Sequence, residues 1–287
     1  MHIQFLTRKP QIRRSHALVQ AAIKSGHRVE LLDVGKFMLS TSNQQVLYEK
    51  QIWKKADVVY PFWSQYDSFM PLLLDMMKQH GQCIYKPIHR HMPNKISAAM
   101  LLCKAGIPSP KTYIISSEQA LFSVLKENTF PLILKLSYSS QGRGVFLHKT
   151  AQSIHAQVEQ LCSKGVDFVI QECIYPLGVD VRAFVINGKV CAAMERTAVG
   201  GEFRANIALG ASSKETSLSP QESEIVCKAT ALFGLETSGV DFIRTLSGPV
   251  VLEVNREPGY TGIMECTKQD IAGMVIQDME RLYLSEQ

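Results

Sequence analysis

Val250-Val251-Leu252-Glu253-Val254-Asn255 is the stretch on which the reading of this chain turns. Its apolar character predicts a strand. Ser247-Gly248 before it is a turn signal, and Val240–Ile243 predicts the partner strand of a hairpin, with Asp241 at its end. Strand side chains alternate faces, so Glu253 and Asn255 are expected on one side and Leu252 and Val254 on the other. Two carboxylates and an amide oxygen then converge, a donor set suited to a hard cation such as magnesium bridging phosphates. The competing reading is a solvated polar sheet face, on which carboxylates so close would repel one another.

A second stretch decides between these readings. Lys135-Leu-Ser-Tyr-Ser-Ser-Gln-Gly-Arg-Gly-Val145 places a lysine at the end of an apolar strand. Ser139, Ser140, Gln141, Gly142 and Gly144 follow in a loop. Small residues let backbone N–H groups approach phosphate oxygens, and the lysine adds a point charge. No Gly-Lys-Ser/Thr opens a helix, so this is not a Walker loop. Taken alone, the loop reads as a plain surface hairpin; taken with the acidic hairpin, it favours a metal–phosphate site.

Cations gather around the same region. Asp180 and Arg182 share a strand face, Arg196 ends the next strand, and Arg204 and Asn206 lie one residue apart in the loop beyond it. Singly, each arginine reads as a surface ion-pair residue. Together they can stabilise an anion formed in a reaction.

The rest of the chain supplies the frame. His2–Leu6, Val29–Leu32, Asp57–Tyr60 and Cys83–Tyr85 predict strands. Helices over Ala17–Lys24, with Ser15 as candidate N-cap, and over Met70–Gln79 alternate with them, so a small parallel sheet is expected. Pro87 and Pro93 bracket a linker, and Asn94 is the candidate N-cap of a helix over Ile96–Lys104. Next come strands at Leu132–Leu136 and Val145–Leu147, a helix near Ile154–Cys162, and a strand at Phe168–Gln171. Asn187-Gly188 marks a hairpin between Val181–Ile186 and Lys189–Ala193. Ser219-Pro220-Gln221-Glu222 reads as a capping box with proline at the first helical position, and Asp270–Leu284 as a terminal helix.

Bulk composition excludes several classes. The 287 residues are 46% hydrophobic and 20% charged, which suits a globular chain with about two domains' worth of core. The longest apolar runs, such as Met70–Met77, are interrupted by Pro71 and Asp75 and fall short of a membrane span. The N-terminus has its apolar stretch before its basic residues, the reverse of an export signal. Seven scattered cysteines without a CxxC suggest reduced thiols in the cytoplasm. A net charge of +5, spread along the chain, fits anionic small substrates and equally no charged partner, and gives only weak support for nucleic-acid binding. His89-Arg90-His91 reads as a solvated loop, while the basic cluster Arg8, Lys9, Arg13 and Arg14 is either a receiver of an acidic substrate tail or a solvated loop. Met70, Met76 and Met77 read as core.

Lys135 with its loop, Gln171-Glu172, Asp180-Val-Arg182, Ala193-Met-Glu-Arg196, Phe203-Arg-Ala-Asn206, Gly239-Val-Asp241 and Leu252-Glu-Val-Asn-Arg-Glu-Pro-Gly259 resemble, in order and spacing, the RimK-type ATP-grasp ligases. The likeness runs over about residues 94–280. It implies an α/β, three-part ATP-grasp fold: a parallel-sheet pre-ATP-grasp domain (1–92), a small lid subdomain (93–168) and a C-terminal catalytic subdomain (169–287). It also implies an ATP-dependent carboxylate–amine ligase working through an acyl phosphate, with an amino acid such as glutamate joined to a small-molecule, peptide or carrier acceptor.

The resemblance assigns roles to matching positions. Lys95 and Lys135 would contact ATP phosphates, beneath a lid that includes Ser139, Ser140, Gln141, Gly142 and Gly144. Gln171, Glu172, Cys173 and Ile174 would form the hinge around adenine and ribose, with Asp180 near the nucleotide. Asp241, Glu253 and Asn255 would ligate two magnesium (or manganese) ions. Arg196, Arg204 and Asn206 would hold acyl-phosphate oxygens, with Arg182 nearby. A homodimer or tetramer is implied, with no membrane or nucleic-acid partner. Departures bear on the acceptor: Asn206-Ile-Ala-Leu-Gly-Ala211 carries no cation, Arg256-Glu257 replaces smaller residues, and Trp63, Gln65 and Tyr66 offer an aromatic wall. Two other functions remain open, a phosphotransferase using the same nucleotide site and a non-catalytic ATP-binding module.

Overall fold

A computed structural model describes residues 1–13, 16–62, 68–85, 94–139, 142 and 144–286. The first part is a three-stranded parallel sheet, β1 (His2–Thr7), β2 (Arg28–Asp33) and β6 (Val58–Pro61), ordered β2-β1-β6. The connections hold α1 (Pro10–Arg13) and α2 (Ala17–Lys24), then an antiparallel meander of β3 (Phe37–Ser40), β4 (Gln45–Tyr48) and β5 (Gln51–Ile52), which the sequence reading did not anticipate. Helix α3 (Phe69–Gln79) follows, burying Met70 and Met77 in a core with Leu6, Val59 and Trp53.

Two local expectations change. Cys83–Tyr85 forms no strand: it makes a single bridge, Ile84 to Val59, through two backbone hydrogen bonds, too few to extend a ladder. The N-cap of α2 is His16, whose Nδ1 accepts from the Leu18 N–H. Ser15, Arg14, Trp63, Gln65, Tyr66 and the segment 86–93, with Pro87, His89, Arg90, His91 and Pro93, lie outside the described residues.

The second sheet is antiparallel, β7 (Thr112–Tyr113), β10 (Phe168–Glu172), β8 (Leu132–Leu136) and β9 (Val145–His148), in that order. Helix α4 (Lys95–Lys104), capped by Asn94, precedes it. Helices α5 (Glu118–Glu127) and α6 (Ala151–Ser163) cover one face, where Leu132, Leu134, Phe168 and Ile170 pack against Leu121, Val124, Ile154 and Val158. Period-2 alternation turns Ile133, Lys135, Val145 and Gln171 to the other face, which lines a cleft.

The third sheet is also antiparallel, ordered β13-β12-β11-β14-β15. Its strands are β11 (Val179–Ile186), β12 (Lys189–Thr197), β13 (Ser212–Glu215), β14 (Thr237–Thr245) and β15 (Gly248–Asn255). Helix α7 (Pro220–Leu232), begun by the expected Ser219/Glu222 capping box, packs on Val181, Ala183, Val185, Val240, Phe242 and Val251. The opposite face is graded along β11: Asp180 and Arg182 lie at the cleft end, Phe184 and Ile186 at the other. The apolar end packs on α8 (Tyr260–Thr267), α9 (Ile271–Ser285) and the N-terminal sheet as one continuous core.

One irregularity corrects the strict alternation. The β14–β15 register steps between Asp241/Phe242, so that Asp241 faces Glu253 and Phe242 faces Val251. Leu252 is the extra residue of a bulge. It joins Glu253 at the cleft, whereas Val251 and Val254 pack toward α7. Asp241 also sits in the middle of β14, not at its end.

Candidate active site

A cleft of about 910 Å³, open to solvent, lies between the second and third sheets. It is lined by fourteen of the residues singled out from sequence: Lys95, Lys135, Ser139, Gly142, the four hinge residues Gln171–Ile174, Asp180, Arg196, Arg204, Asn206, Asp241 and Glu253. Arg182, Asn255 and Gly144 are not among the residues that line it, although Arg182 and Asn255 each bond to Asp241, which is. Ser140 and Gln141 lie outside the described residues.

At the floor is a ladder of charge. Arg182 and Asp241 are direct cross-strand partners, and the Arg182 Nε and Nη2 donate to Asp241 Oδ1 and Oδ2 at 2.7 and 2.6 Å. Arg196 faces Asp180 across β11–β12 and donates to both its oxygens at 2.7 Å. It also reaches Asp241 Oδ2 at 3.1 Å, so four charges alternate in sign. Arg196 is only 2% exposed. Burial alone would lift Asp241, but Arg182 and Arg196 override it and hold the carboxyl down to about 2. Desolvation instead pushes Asp180 upward, with Asp241 adding to the effect. The repulsion expected between crowded carboxylates is thus already relieved by guanidinium groups.

The metal-ligating expectation has a physical test in the atoms left over. Asn255 donates its Nδ2 to Asp241 Oδ2 at 3.3 Å, leaving its amide oxygen as the spare acceptor. Glu253 is exposed at the cleft and makes no hydrogen bond or ion pair among the described residues. These donors are all oxygen, which fits a hard cation. No cluster of three or more His, Cys, Asp or Glu side chains occurs among the described residues, so phosphates and water would complete the shell, as magnesium tolerates.

Two lysines face this acidic floor. The Lys135 side chain makes no hydrogen bond among the described residues; desolvation lowers its ammonium to about 8, with Glu253 opposing the shift and Lys95 adding to it. Lys95 is also lowered by burial, and its Nζ donates to Ser139 O at 2.7 Å and Ser139 Oγ at 3.0 Å. The glycine requirement in the loop is steric. A Cβ on Gly142 (φ +74°) would lie 2.8 Å from Asn206 Oδ1, and one on Gly144 would lie 2.7 Å from the Ser139 Cβ.

The hinge end of the cleft is apolar, lined by Pro110, Ile133, Val145, Leu177, Ile243 and Leu252. Sequence reading missed this slot, because single aliphatic residues on six separate segments carry no local signature. Its polar wall is oriented by a relay. Thr112 donates its only hydroxyl proton to Pro110 O at 2.7 Å, so it accepts from Gln171 Nε2 at 2.8 Å. Gln171 Oε1 is buried with no partner among the described residues, an acceptor suited to a donor such as an aromatic amine. Glu172 is tied to Lys111, whose N–H donates to Oε1 at 2.8 Å. Cys173 is half-buried, and burial pushes its thiol up.

An apolar slot, a pair of lysines and an acidic floor make a site for a nucleotide and a divalent metal, as in the ATP-dependent carboxylate–amine ligases of the ATP-grasp fold. The profile of the RimK-like ATP-grasp domain matches residues 92–279, and that of the RimK pre-ATP-grasp domain matches residues 1–70. The chain belongs to the RimK-like ATP-grasp family, whose ligases use ATP and a divalent metal. It is 34% identical over 297 residues to a protein of Cellvibrio japonicus (strain Ueda107) named probable alpha-L-glutamate ligase, covering 98% of this chain and 95% of that one. A protein of the same name from Methanococcoides burtonii (strain DSM 6242 / NBRC 107633 / OCM 468 / ACE-M) is 33% identical over 290 residues, covering 98% and 96%. Two solved structures share the fold. The ATP-grasp ligase PsnB complexed with minimal precursor superposes with a TM-score of 0.76 at 19% identity, covering 98% of each chain. D-alanine--D-alanine ligase from Bacillus anthracis complexed with ATP gives 0.71 at 14%, covering 100% of each.

Proposed function

We propose that this ligase activates a carboxylate as an acyl phosphate and joins it to an amine, with glutamate as the amino acid substrate. The observation that carries the reading is the convergence of Lys135, the Asp241/Glu253 pair and the arginine ladder on one cleft that also has an apolar lining. The names of the relatives support glutamate. Of the three parts, 93–168 carries both phosphate lysines and 169–287 carries the acidic floor.

A carboxylate repels an amine's lone pair and has no good leaving group. Attack of a carboxylate oxygen on the γ-phosphorus breaks the bond to ADP and yields the acyl phosphate. The amine nitrogen then attacks the acyl carbon, loses a proton, and phosphate leaves. Lys135 and Lys95 hold the phosphates, Gln171 orients the base, and the Arg196–Arg204 side of the cleft holds the transferring group. Asp241, Glu253 and Asn255 would hold two magnesium or manganese ions, which neutralise phosphate charge during transfer. Cytoplasmic residence is supported by the need for ATP and by seven free cysteines. No helix among the described residues is long and apolar enough to cross a membrane. A homodimer or tetramer is the assembly we expect.

Purified protein with ATP, magnesium and a panel of amino acids tests the reading by mass spectrometry. The expected result is ADP release that depends on an amine, with an amide product containing glutamate. A stable phosphorylated product without amide would replace the ligase with a phosphotransferase, and ATP binding without turnover would leave a binding module.

Lys135 gives a pH-dependent prediction. Burial lowers its ammonium to about 8, so ATP binding near pH 8.5 is expected to draw a proton onto it. Calorimetry in buffers of different ionisation enthalpy should show that uptake, and Lys135→Ala should abolish it and raise the apparent KM for ATP by about 10- to 100-fold, the range of a lost charge-assisted contact.

A further inference from the structure

Arg204 is held on three sides. Its Nε and Nη2 donate to Glu202 Oε1 and Oε2 at 2.9 and 2.7 Å. Its Nη1 donates to Gly142 O at 2.6 Å. Its guanidinium carbon lies 5.3 Å from the centroid of the Phe203 ring. Glu202 is fixed in turn, because Oε1 also accepts from the Phe203 and Arg204 backbone N–H groups at 2.9 and 3.0 Å. Those contacts hold the Glu202 carboxyl down to about 2, the Arg204 side chain being the largest cause, so the clamp stays charged at neutral pH.

The guanidinium has five N–H donors in a rigid plane. Among the described residues three are occupied, leaving one on Nη1 and one on Nη2. Gly142 sits on the Cδ side of the group, since a Cβ built on it falls 3.3 Å from the Arg204 Cδ. The Gly142 carbonyl therefore uses the Nη1 proton nearer Cδ. The two remaining protons are the parallel pair on the terminal edge of the fork, and Arg204 lines the cleft. A parallel pair of donors matches two oxygens of one carboxylate or phosphoryl group.

We propose that Glu202 is a positioning residue which, with Gly142 O, fixes Arg204 so that only its terminal fork is presented, bidentate, to the oxygens of the phosphoryl group in the cleft. Glu202 touches no substrate; it acts through Arg204. The identity of that anion rests on the ligase reading, but the clamp itself does not.

The test separates the two. Inorganic phosphate is titrated calorimetrically into protein saturated with ADP and magnesium, for wild type, Glu202→Gln, Glu202→Ala, Arg204→Ala, Arg204→Lys and the Glu202→Ala/Arg204→Ala double variant. Expected are phosphate binding by wild type, a weakening of about 10- to 100-fold in both Glu202 variants, and a similar loss in Arg204→Lys, whose point charge cannot fork. The double variant should bind no worse than Arg204→Ala alone, because Glu202 has no other route to the anion. Unchanged ADP affinity certifies folding, and Glu202→Asp takes the place of any variant that fails that control. Wild-type phosphate affinity in Glu202→Gln, or full additivity in the double variant, overturns the proposal, as does absence of phosphate binding by wild type. Failure of amide formation with normal phosphate results would instead remove the ligase reading and leave the clamp.

Discussion

Glu253→Gln is expected to lower turnover on the order of 10³-fold while leaving the unfolding transition unchanged. The side chain is exposed at the cleft and makes no hydrogen bond or ion pair among the described residues, so its amide isostere removes nothing that holds the fold. Substitutions of that kind stay within about 0.5 kcal/mol of wild type. The lost function is the charge. A metal contributes several kcal/mol of charge stabilisation to phosphoryl transfer, and each 1.36 kcal/mol or so is a factor of ten. Manganese titration followed by electron paramagnetic resonance should show weaker ion binding in the variant, and urea unfolding should superimpose on wild type. Wild-type turnover in Glu253→Gln would remove this residue from the metal site.

Asp241→Ala should do the opposite, damaging the fold itself. Both Asp241 oxygens are engaged by guanidinium groups, and Arg196 beside it is almost wholly buried. Removing one member of a buried ionic network leaves charge uncompensated, at a cost of about 3–5 kcal/mol. The loss should appear as a lower urea midpoint with a similar slope. The pH dependence has a defined sign. The Asp241 carboxyl is held from its ordinary 3.8 down to about 2, so its stabilisation is complete above about pH 4 and is lost as pH falls toward 2. Asp241→Asn should flatten that part of the acid limb. An unaltered limb would mean the ladder contributes no net stability in solution.

Period-2 alternation made much of this site legible. It placed Glu253 with Asn255, Asp180 with Arg182, and Lys135 at the end of an apolar strand. It gave no cross-strand register, so nothing in the sequence announced that Arg182 lies opposite Asp241 and neutralises it. Leu252 was assigned to the wrong face because a bulge adds one residue to β15, and alternation counts residues without seeing bulges. The aliphatic slot was invisible for another reason: its residues look like core, and only the gap between two sheets makes them a pocket. Glu202 had a signal, its position two residues before Arg204, but an acid beside an arginine in a glycine-rich loop is too common a pattern to single out. The meander of β3–β5 is short and its strands alternate weakly, so no periodicity stood above its turns.

The shared core has a consequence during synthesis. Helix α2 and the first strands bury their apolar faces against Val275, Ile276 and Met279 of α9, near the far end of the chain. Those strands must therefore wait for a helix synthesised about 250 residues after them, a delay on the order of tens of seconds at ordinary elongation rates. Through that interval the nascent N-terminal sheet carries an uncovered greasy flank, while the β8–β10 unit, whose core is drawn from residues 113–170, can already have closed. Early-emerging strands with a late-arriving lid are natural clients for chaperones, and truncations at α9 should be punished at residues far upstream.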